Sequence, residues 1–199
     1  MRLIIVAGVP GSGKTSVIRG SCDGERFGFI ANNERSSSEI EGIADWVDFY
    51  PMKSPCARIR QYSYRLELHS DTDVPVIISE PPGNCLEQSS PILNQVYATK
   101  RDVYEIGPLI TVADAHTLTG PVSKRSTDGL RLYNMIDESD AIAVTFSEGL
   151  SDSGRTDVEE NIRRINDECQ IVFISDADGF DRMHALIFGD ASYSRPLCL

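Results

Sequence analysis

The sequence predicts an α/β fold, doubly wound around a mostly parallel β-sheet. Apolar runs of strand length alternate with more polar stretches of helix length along the whole chain. Several of the apolar runs are nearly continuous Val and Ile, which is typical of strands buried on both faces of a parallel sheet. Strands and helices that alternate in this way are joined by right-handed crossovers. The 199 residues fit one domain, which we take as residues 1–199.

Each predicted element follows from its local composition. The predicted strands are residues 3–7, 27–31, 46–50, 74–79, 109–113, 141–146 and 171–175. The predicted helices are residues 14–21, 56–70, 86–100, 126–138, 157–168 and 180–187. For the helix over 157–168, Thr156 is the candidate N-cap, and acidic residues in the first turn complement the helix dipole.

A glycine-rich segment links the first predicted strand to the first predicted helix. It reads Gly8-Val9-Pro10-Gly11-Ser12-Gly13-Lys14-Thr15 and fits the pattern GxxxxGK[ST] at every fixed position. Its glycines let backbone N–H groups converge on phosphate oxygens, and the helix that follows presents unpaired N–H groups to the same anion. The sequence therefore predicts a P-loop NTPase fold that binds a nucleoside triphosphate.

The roles of the residues in this segment follow from the motif. Lys14 is predicted to reach the β- and γ-phosphates and to be catalytic, and the Thr15 hydroxyl is predicted to bind Mg²⁺. The candidate nucleotide-binding residues are Gly8, Pro10, Gly11, Ser12, Gly13, Lys14, Thr15 and Ser16.

A carboxylate at the end of a neighbouring strand is expected to face the metal. Glu80 ends an apolar run and is followed by Pro81-Pro82-Gly83, which forms a rigid turn. We predict that Glu80 is catalytic and binds Mg²⁺ directly or through water. Gly83 is a candidate to place its N–H against the γ-phosphate. Asp114, which closes another run, is an alternative carboxylate.

Charge and cysteine content limit the classes of partner. The net charge is −11, so the chain lacks the basic surface that nucleic acids and anionic membranes require. We predict no nucleic-acid partner and no membrane partner. The first apolar run is too short for a signal peptide or a membrane span. The five cysteines form no CxxC motif, which favours reduced thiols and a cytoplasmic location.

Three further segments carry a resemblance to a known family. They are Ala31-Asn32-Asn33-Glu34, Glu80-Pro81-Pro82-Gly83 and Ile110-Thr111-Val112-Ala113-Asp114-Ala115. With the P-loop, they resemble the Asn-Glu, Glu-x-x-Gly and Asp-Ala motifs of the CobW/HypB/UreG family of metallochaperone GTPases.

The resemblance implies a GTPase that couples hydrolysis to the delivery of a metal or cofactor to a client enzyme. It also implies Glu34 as a catalytic residue of the first switch region, and homodimer formation promoted by nucleotide. The implied cofactors are GTP, or alternatively ATP, with Mg²⁺. The candidate cargo metals are Zn²⁺, Ni²⁺ and Co²⁺.

The chain departs from the family in two places. The family's cysteine-rich metal loop would fall on residues 51–56, whose single cysteine is Cys56. One thiolate cannot hold such a metal alone. We consider that Cys56 binds it together with Cys85 or with the same cysteine of a second subunit, or that these are inert buried thiols. The family's Asn-Lys-x-Asp base motif would fall on Thr145-Phe146-Ser147-Glu148. Glu148 remains the candidate that accepts from the guanine N–H groups.

Two other functions stay open. A small-molecule kinase would use Arg58, Arg60 and Arg65, which cluster on one predicted helix, to clamp a phosphorylated acceptor. A nucleotide-dependent binding module with little hydrolysis would explain the altered base motif and the depleted cysteine loop.

Overall fold

The computed structural model describes residues 1–51, 55–82, 90–175, 177–190 and 193, with the backbone alone at residues 55–57 and 90. Within these residues, seven strands form one sheet with parallel pairing throughout. They are β1 (Arg2–Ala7), β2 (Phe27–Ala31), β3 (Trp46–Phe49), β4 (Val76–Ser79), β5 (Glu105–Asp114), β6 (Ala141–Thr145) and β7 (Gln170–Phe173). The prediction of a doubly wound, mostly parallel sheet is confirmed.

The order of the strands determines where loops meet. The sheet runs β3-β2-β4-β1-β5-β6-β7, so β1 lies in the middle. All strands point the same way, and the loops that leave their carboxyl ends gather at one edge of the sheet. The loop after β1 therefore lies between elements that leave β4 and β2 on one side and β5 and β6 on the other.

The helices of the described residues include all the predicted ones and two that were not predicted. They are α1 (Lys14–Ser21), α2 (Glu34–Ile40), α3 (Pro55–Leu68), α4 (Ser90–Lys100), α5 (Ala115–Leu118), α6 (Thr127–Glu138), α7 (Asp152–Arg163) and α8 (Ala177–Phe188). The unpredicted α2 contains three consecutive serines and has no clear apolar period, and α5 is a single turn. The predicted start of α4, at residues 86–89, lies outside the described residues.

The predicted N-terminus of α7 is wrong. The helix begins at Asp152, and the Ser151 side chain caps it by accepting from the Gly154 N–H at 3.2 Å. The predicted cap, Thr156, lies inside the helix, where its hydroxyl donates to the Asp152 carbonyl at 3.0 Å. The Ser- and Gly-rich composition of residues 151–154 resembles a loop, although it supplies the cap and the first turn.

The core has a layer on each face of the sheet. Successive side chains of a strand point to opposite faces. Thus Ile4 and Val6 of β1 pack in the layer that includes α1 and α8, whereas Leu3 and Ile5 pack in the layer that includes α3 and α4. Because β1 is buried along its whole length, the loop that follows it starts from a fixed point.

Candidate functional site

All three glycines of the P-loop have a positive φ, and two of them shape the path of the loop. Gly8 has φ 150°, and a Cβ there would lie 2.5 Å from the Val112 carbonyl oxygen of β5. Gly13 has φ 87° and is the residue before α1, where a left-handed backbone turns the chain into the helix. The loop therefore passes close to β5 and then directs the first N–H groups of α1 toward the cleft.

This loop forms one wall of a cleft with a volume of about 770 Å³. The lining includes six residues that the sequence predicted as nucleotide-binding: Pro10, Gly11, Gly13, Lys14, Thr15 and Ser16. It also includes Glu80 and its two prolines, residues 32, 33, 35, 36 and 39 of the β2–α2 segment, Pro51, and Phe146 beyond β6. A cleft of this size accommodates a nucleotide.

Lys14 lies buried at the base of this cleft. Its Nζ donates to the carbonyl oxygens of Gly8 at 3.0 Å and Val9 at 3.2 Å, and lies 3.6 Å from Oε1 of Glu80. Burial lowers the pKa of Lys14, and the neighbouring Glu80 carboxylate opposes that shift. The ammonium group thus already faces an anion where the phosphates are expected.

The Glu80 carboxylate also joins the P-loop to α2. Its side chain is 5% exposed. The Ser36 hydroxyl donates to Oε2 at 2.5 Å, and the Asn33 amide nitrogen lies 3.3 Å from both carboxylate oxygens. Asn33 is in turn the N-cap of α2, where its side-chain oxygen accepts from the Ser36 N–H at 2.9 Å. The Glu80 carboxylate therefore contacts both the P-loop lysine and the start of α2.

Sequence analysis did not identify Ser36 as part of the site. Its only sequence signal is the spacing Asn33-x-x-Ser36, in which the asparagine is suited to cap a helix. That signal is weak because three consecutive serines reduce the helix propensity of the segment.

One residue of the segment that replaces the family's base motif lines the cleft. Phe146 lines the cleft, is 46% exposed, and has φ 54°, which is unusual for a residue with a side chain. Glu148 is exposed in the turn that follows, outside the described lining of the cleft. Its contact with a guanine base stays a prediction.

Two other predicted carboxylates also lie outside the described lining of the cleft. Glu34 is exposed at the first residue of α2. The Asp114 side chain caps α5 by accepting from the His116 N–H at 2.8 Å, which is a sufficient structural role for that residue. Of the two alternatives, Glu80 is thus the carboxylate that faces the P-loop.

Two of the three arginines considered for a kinase have other partners. Arg65 pairs with Asp48 at 3.3 Å, and Arg58 donates to Gln61 at 3.0 Å. Neither these two nor Arg60 lies in the described lining of the nucleotide cleft.

The candidate transition-metal ligands cannot be placed. Cys56 is the second residue of α3, but its side chain, and all of Cys85 and Gly83, lie outside the described residues. The described part of the chain contains no group of three or more His, Cys, Asp or Glu side chains that could hold a metal ion. It also contains no helix long and apolar enough to span a membrane.

A glycine-rich loop at the end of a central parallel strand, with a buried lysine and a facing carboxylate, defines the chain as a P-loop protein. Residues 2–173 match a family described as "CobW/HypB/UreG, nucleotide-binding domain". The chain belongs to this family and is a nucleoside triphosphate hydrolase.

Solved structures share the fold at low sequence identity. Zn(II)-bound YjiA GTPase from E. coli superposes with a TM-score of 0.62 at 12% identity, over 98% of this chain and 67% of that chain. A Zn(II)-bound triple mutant of YjiA GTPase gives a TM-score of 0.62 at 13% identity, over 97% and 67% of the two chains. The signal recognition particle receptor FtsY from Elizabethkingia anophelis gives 0.53 at 15% identity, over 92% and 65%. No curated protein matches the sequence.

Proposed function

We propose that this chain couples Mg²⁺-dependent binding and hydrolysis of GTP to the delivery of a metal or cofactor to a client enzyme. The observation that supports this most is the position of Glu80, which contacts both the P-loop lysine and the start of α2. A carboxylate shared in this way transmits a change at the phosphates to an element at the protein surface.

An incoming triphosphate competes with the Glu80 carboxylate for Lys14. Lys14 is the cation that the β- and γ-phosphates need, and Glu80 already lies 3.6 Å from its Nζ. An incoming triphosphate replaces Glu80 as the principal partner of Lys14. Glu80 keeps its contacts with Ser36 and Asn33, so its altered position is conveyed to α2.

Two cleft residues have the chemistry to hold Mg²⁺. Thr15 is half-buried and supplies a hydroxyl, and Glu80 supplies a carboxylate, which are the hard oxygen ligands that this ion prefers. Bound Mg²⁺ would offset the negative charge of the phosphates. Thr15 and Glu80 orient the triphosphate on the P-loop, and the glycine N–H groups hold its oxygens.

Specificity for guanine is proposed for Glu148. Its carboxylate accepts from the guanine N1–H and N2–H groups, whereas adenine would present the acceptor N1 to the same charge. Phe146, exposed at the cleft, supplies an apolar surface for the base.

The metal-delivery half of the proposal has separate support. The family resemblance provides the general role, and YjiA GTPase, which shares the fold, has been solved in a Zn(II)-bound form. One subunit has few cysteines for a metal site, but a two-fold axis would double Cys56 and Cys85 to four thiolates. We therefore include a nucleotide-promoted homodimer in the proposal, with Zn²⁺, Ni²⁺ or Co²⁺ as cargo.

The first experiment measures nucleotide binding and turnover. Calorimetry with GTP and ATP, followed by hydrolysis with and without Mg²⁺, should show Mg²⁺-dependent GTP turnover and weaker binding of ATP. Lys14→Ala should weaken triphosphate binding by about 1.5–3 kcal/mol, the value of a hydrogen bond to a charged group. Unchanged binding by Lys14→Ala would place the phosphates elsewhere. Tight binding without turnover would favour the binding-module alternative.

A second experiment tests delivery. Sedimentation with a non-hydrolysable GTP analogue and Mg²⁺ should show a dimer, and Cys56→Ser should take up less metal than wild type. If the protein sediments as a monomer in every nucleotide state, the proposed dimer is wrong. If Cys56→Ser takes up as much metal as wild type, the proposed cysteine site is wrong.

A further inference from the structure

An arginine lies in the nucleotide cleft in a position that the sequence did not assign to the site. Arg35 belongs to the first turn of α2, lines the cleft, and has a side chain that is 87% exposed. Its Nε donates to Oε1 of Glu39 at 2.6 Å, and Glu39, one turn further along α2, also lines the cleft. The Arg35 side chain is thus paired within its own helix.

The charges of the described cleft lining form two pairs. The cations are Lys14 and Arg35, and the carboxylates are Glu80 and Glu39. Lys14 faces Glu80 in the buried part of the cleft, and Arg35 pairs with Glu39 at its exposed rim. An exposed ion pair of this kind contributes little to stability. Arg35 therefore readily leaves Glu39 for an anion of higher charge.

The sheet order indicates which phosphate Arg35 faces. Phe146 follows β6 and Arg35 follows β2, and these strands lie on opposite sides of β1 and its P-loop. A nucleotide with its base at Phe146 extends its phosphates across the P-loop toward β4 and β2. The terminal phosphate therefore points to the end of the cleft formed by Glu80 and α2.

We propose that Arg35 is the residue that recognises the γ-phosphate and stabilises its transfer to water, and that Glu39 holds the arginine aside until a triphosphate binds. This inference rests on the proposed nucleotide hydrolysis. Both phosphate-facing cations then act on one substrate, Lys14 on the β- and γ-phosphates and Arg35 on the γ-phosphate.

The chemistry suits a guanidinium group. A water oxygen attacks the γ-phosphorus, the bond from that phosphorus to the β–γ bridging oxygen breaks, and its electrons remain on the β-phosphate of the diphosphate product. The proton of the attacking water leaves with inorganic phosphate or to solvent. Negative charge is spread over the γ-oxygens and the leaving oxygen during this step, and the planar fork of an arginine donates to two of them at once.

The test compares binding and turnover in matched variants. Affinities for GDP and for a non-hydrolysable GTP analogue, and single-turnover GTP hydrolysis, are measured in wild type, Arg35→Ala, Arg35→Lys and Glu39→Gln. The control is Arg164→Ala at the C-cap of α7. Arg164 forms a similar pair with Glu160, four positions earlier, at 3.0 Å, and lies outside the described cleft lining.

We expect Arg35→Ala to weaken binding of the GTP analogue about tenfold and of GDP less than about twofold, and to slow hydrolysis at least about a hundredfold. Arg35→Lys should recover part of the analogue affinity and little of the rate, because an ammonium group cannot donate as a planar fork. Glu39→Gln should tighten binding of the analogue about two- to fivefold and leave GDP unchanged, since the arginine no longer has a competing carboxylate.

The outcomes separate this inference from the proposed function. If wild type binds and hydrolyses GTP while Arg35→Ala matches Arg164→Ala in both the affinity ratio and the rate, the assignment of Arg35 is wrong and the GTPase stands. An equal loss of GDP and analogue binding in Arg35→Ala also overturns it. If wild type binds nucleotide without turnover, the hydrolysis proposal falls and the affinity ratio still tests Arg35. ATP and ADP in parallel should give the same ratio, because Arg35 does not contact the base.

Discussion

The Thr145 hydroxyl donates to the carbonyl oxygen of Ser12 at 2.8 Å, although the two residues are 133 positions apart in the chain. The Ala113 carbonyl oxygen lies 3.2 Å from the same hydroxyl, and Thr145 packs against Gly13, where an added Cβ would lie 3.2 Å from its methyl carbon. The end of β6 thus fixes the P-loop from the β6 side of the sheet.

This tether predicts how Thr145 variants behave. Thr145→Val keeps the methyl contact and loses the donor, so triphosphate affinity should fall by about 0.5–1.5 kcal/mol, the net value of a neutral hydrogen bond. Thr145→Ser keeps the donor and should restore most of that loss. Calorimetry on the three proteins measures the effect. Equal affinity in Thr145→Val and wild type would show that the loop holds its shape without this bond.

Glu80→Gln should separate binding from catalysis. Hydrolysis should fall by about a hundredfold or more, because the carboxylate that faces Lys14, and that we propose as a ligand of Mg²⁺, is lost. Without Mg²⁺, GTP should bind the mutant at least as tightly as wild type, because the neutral amide no longer competes with phosphate for Lys14. Glu160→Gln, on the surface of α7, is the control. Normal turnover in Glu80→Gln would move the catalytic role to another carboxylate, with Glu34 the next candidate.

Two glycines of the P-loop should respond differently to alanine. At Gly8 the new Cβ would lie 2.5 Å from the backbone oxygen of Val112 and the φ angle is 150°, so the free energy of unfolding should fall by about 3 kcal/mol or more. At Gly11 nothing lies within 4 Å of the added Cβ, and only the φ of 83° opposes alanine, at about 1 kcal/mol. Urea denaturation of both variants checks the order, and a larger cost at Gly11 would contradict the described path of the loop.

The buried Cys22 thiol makes the free energy of unfolding fall at alkaline pH. Burial, with a smaller contribution from Glu25, raises the pKa of the Cys22 thiol to about 12. In the unfolded chain a thiol ionises near pH 8.5, so between these values the unfolded state loses a proton that the folded state keeps. Stability is therefore complete below about pH 8 and falls as the pH rises.

The matching experiment compares wild type with Cys22→Ala in urea at pH 8 and pH 10 under reducing conditions. Between these two pH values, wild type should lose about 2 kcal/mol more unfolding free energy than the mutant. The constant cost of the smaller side chain cancels in this comparison. Parallel losses in the two proteins would mean that the thiol is not shielded from solvent.

The fold could be predicted from the sequence because its signals are local and repeated. The buried Val and Ile runs predicted all seven strands, with limits that differ by a few residues at most from the structure. β5 departs most from its predicted limits. Its first residues, from Glu105, are not a continuous apolar run, but they pair with β1. Pairing across the sheet, which the local pattern does not contain, extends that strand.

The site could be predicted only in part. Lys14 and Glu80 belong to motifs with fixed spacing, whereas Ser36 and Arg35 lie in a short polar helix that local propensity does not favour. Thr145 was recognised as a departure from the family's base motif, but its bond to Ser12 depends on the meeting of two loops. Such contacts arise from the order of the strands, which the sequence pattern does not specify.

The pairing of Lys14 with Glu80 also affects the stability of the protein when no nucleotide is bound. A buried ammonium group without a partner would be costly, and a bound ligand of opposite charge can offset that cost. Here the Glu80 carboxylate supplies that opposite charge, with its Oε1 3.6 Å from Nζ of Lys14. The folded chain therefore does not need a bound anion to offset the charge of Lys14. An anion that binds at Lys14 must first displace Glu80, and this displacement lowers its net affinity.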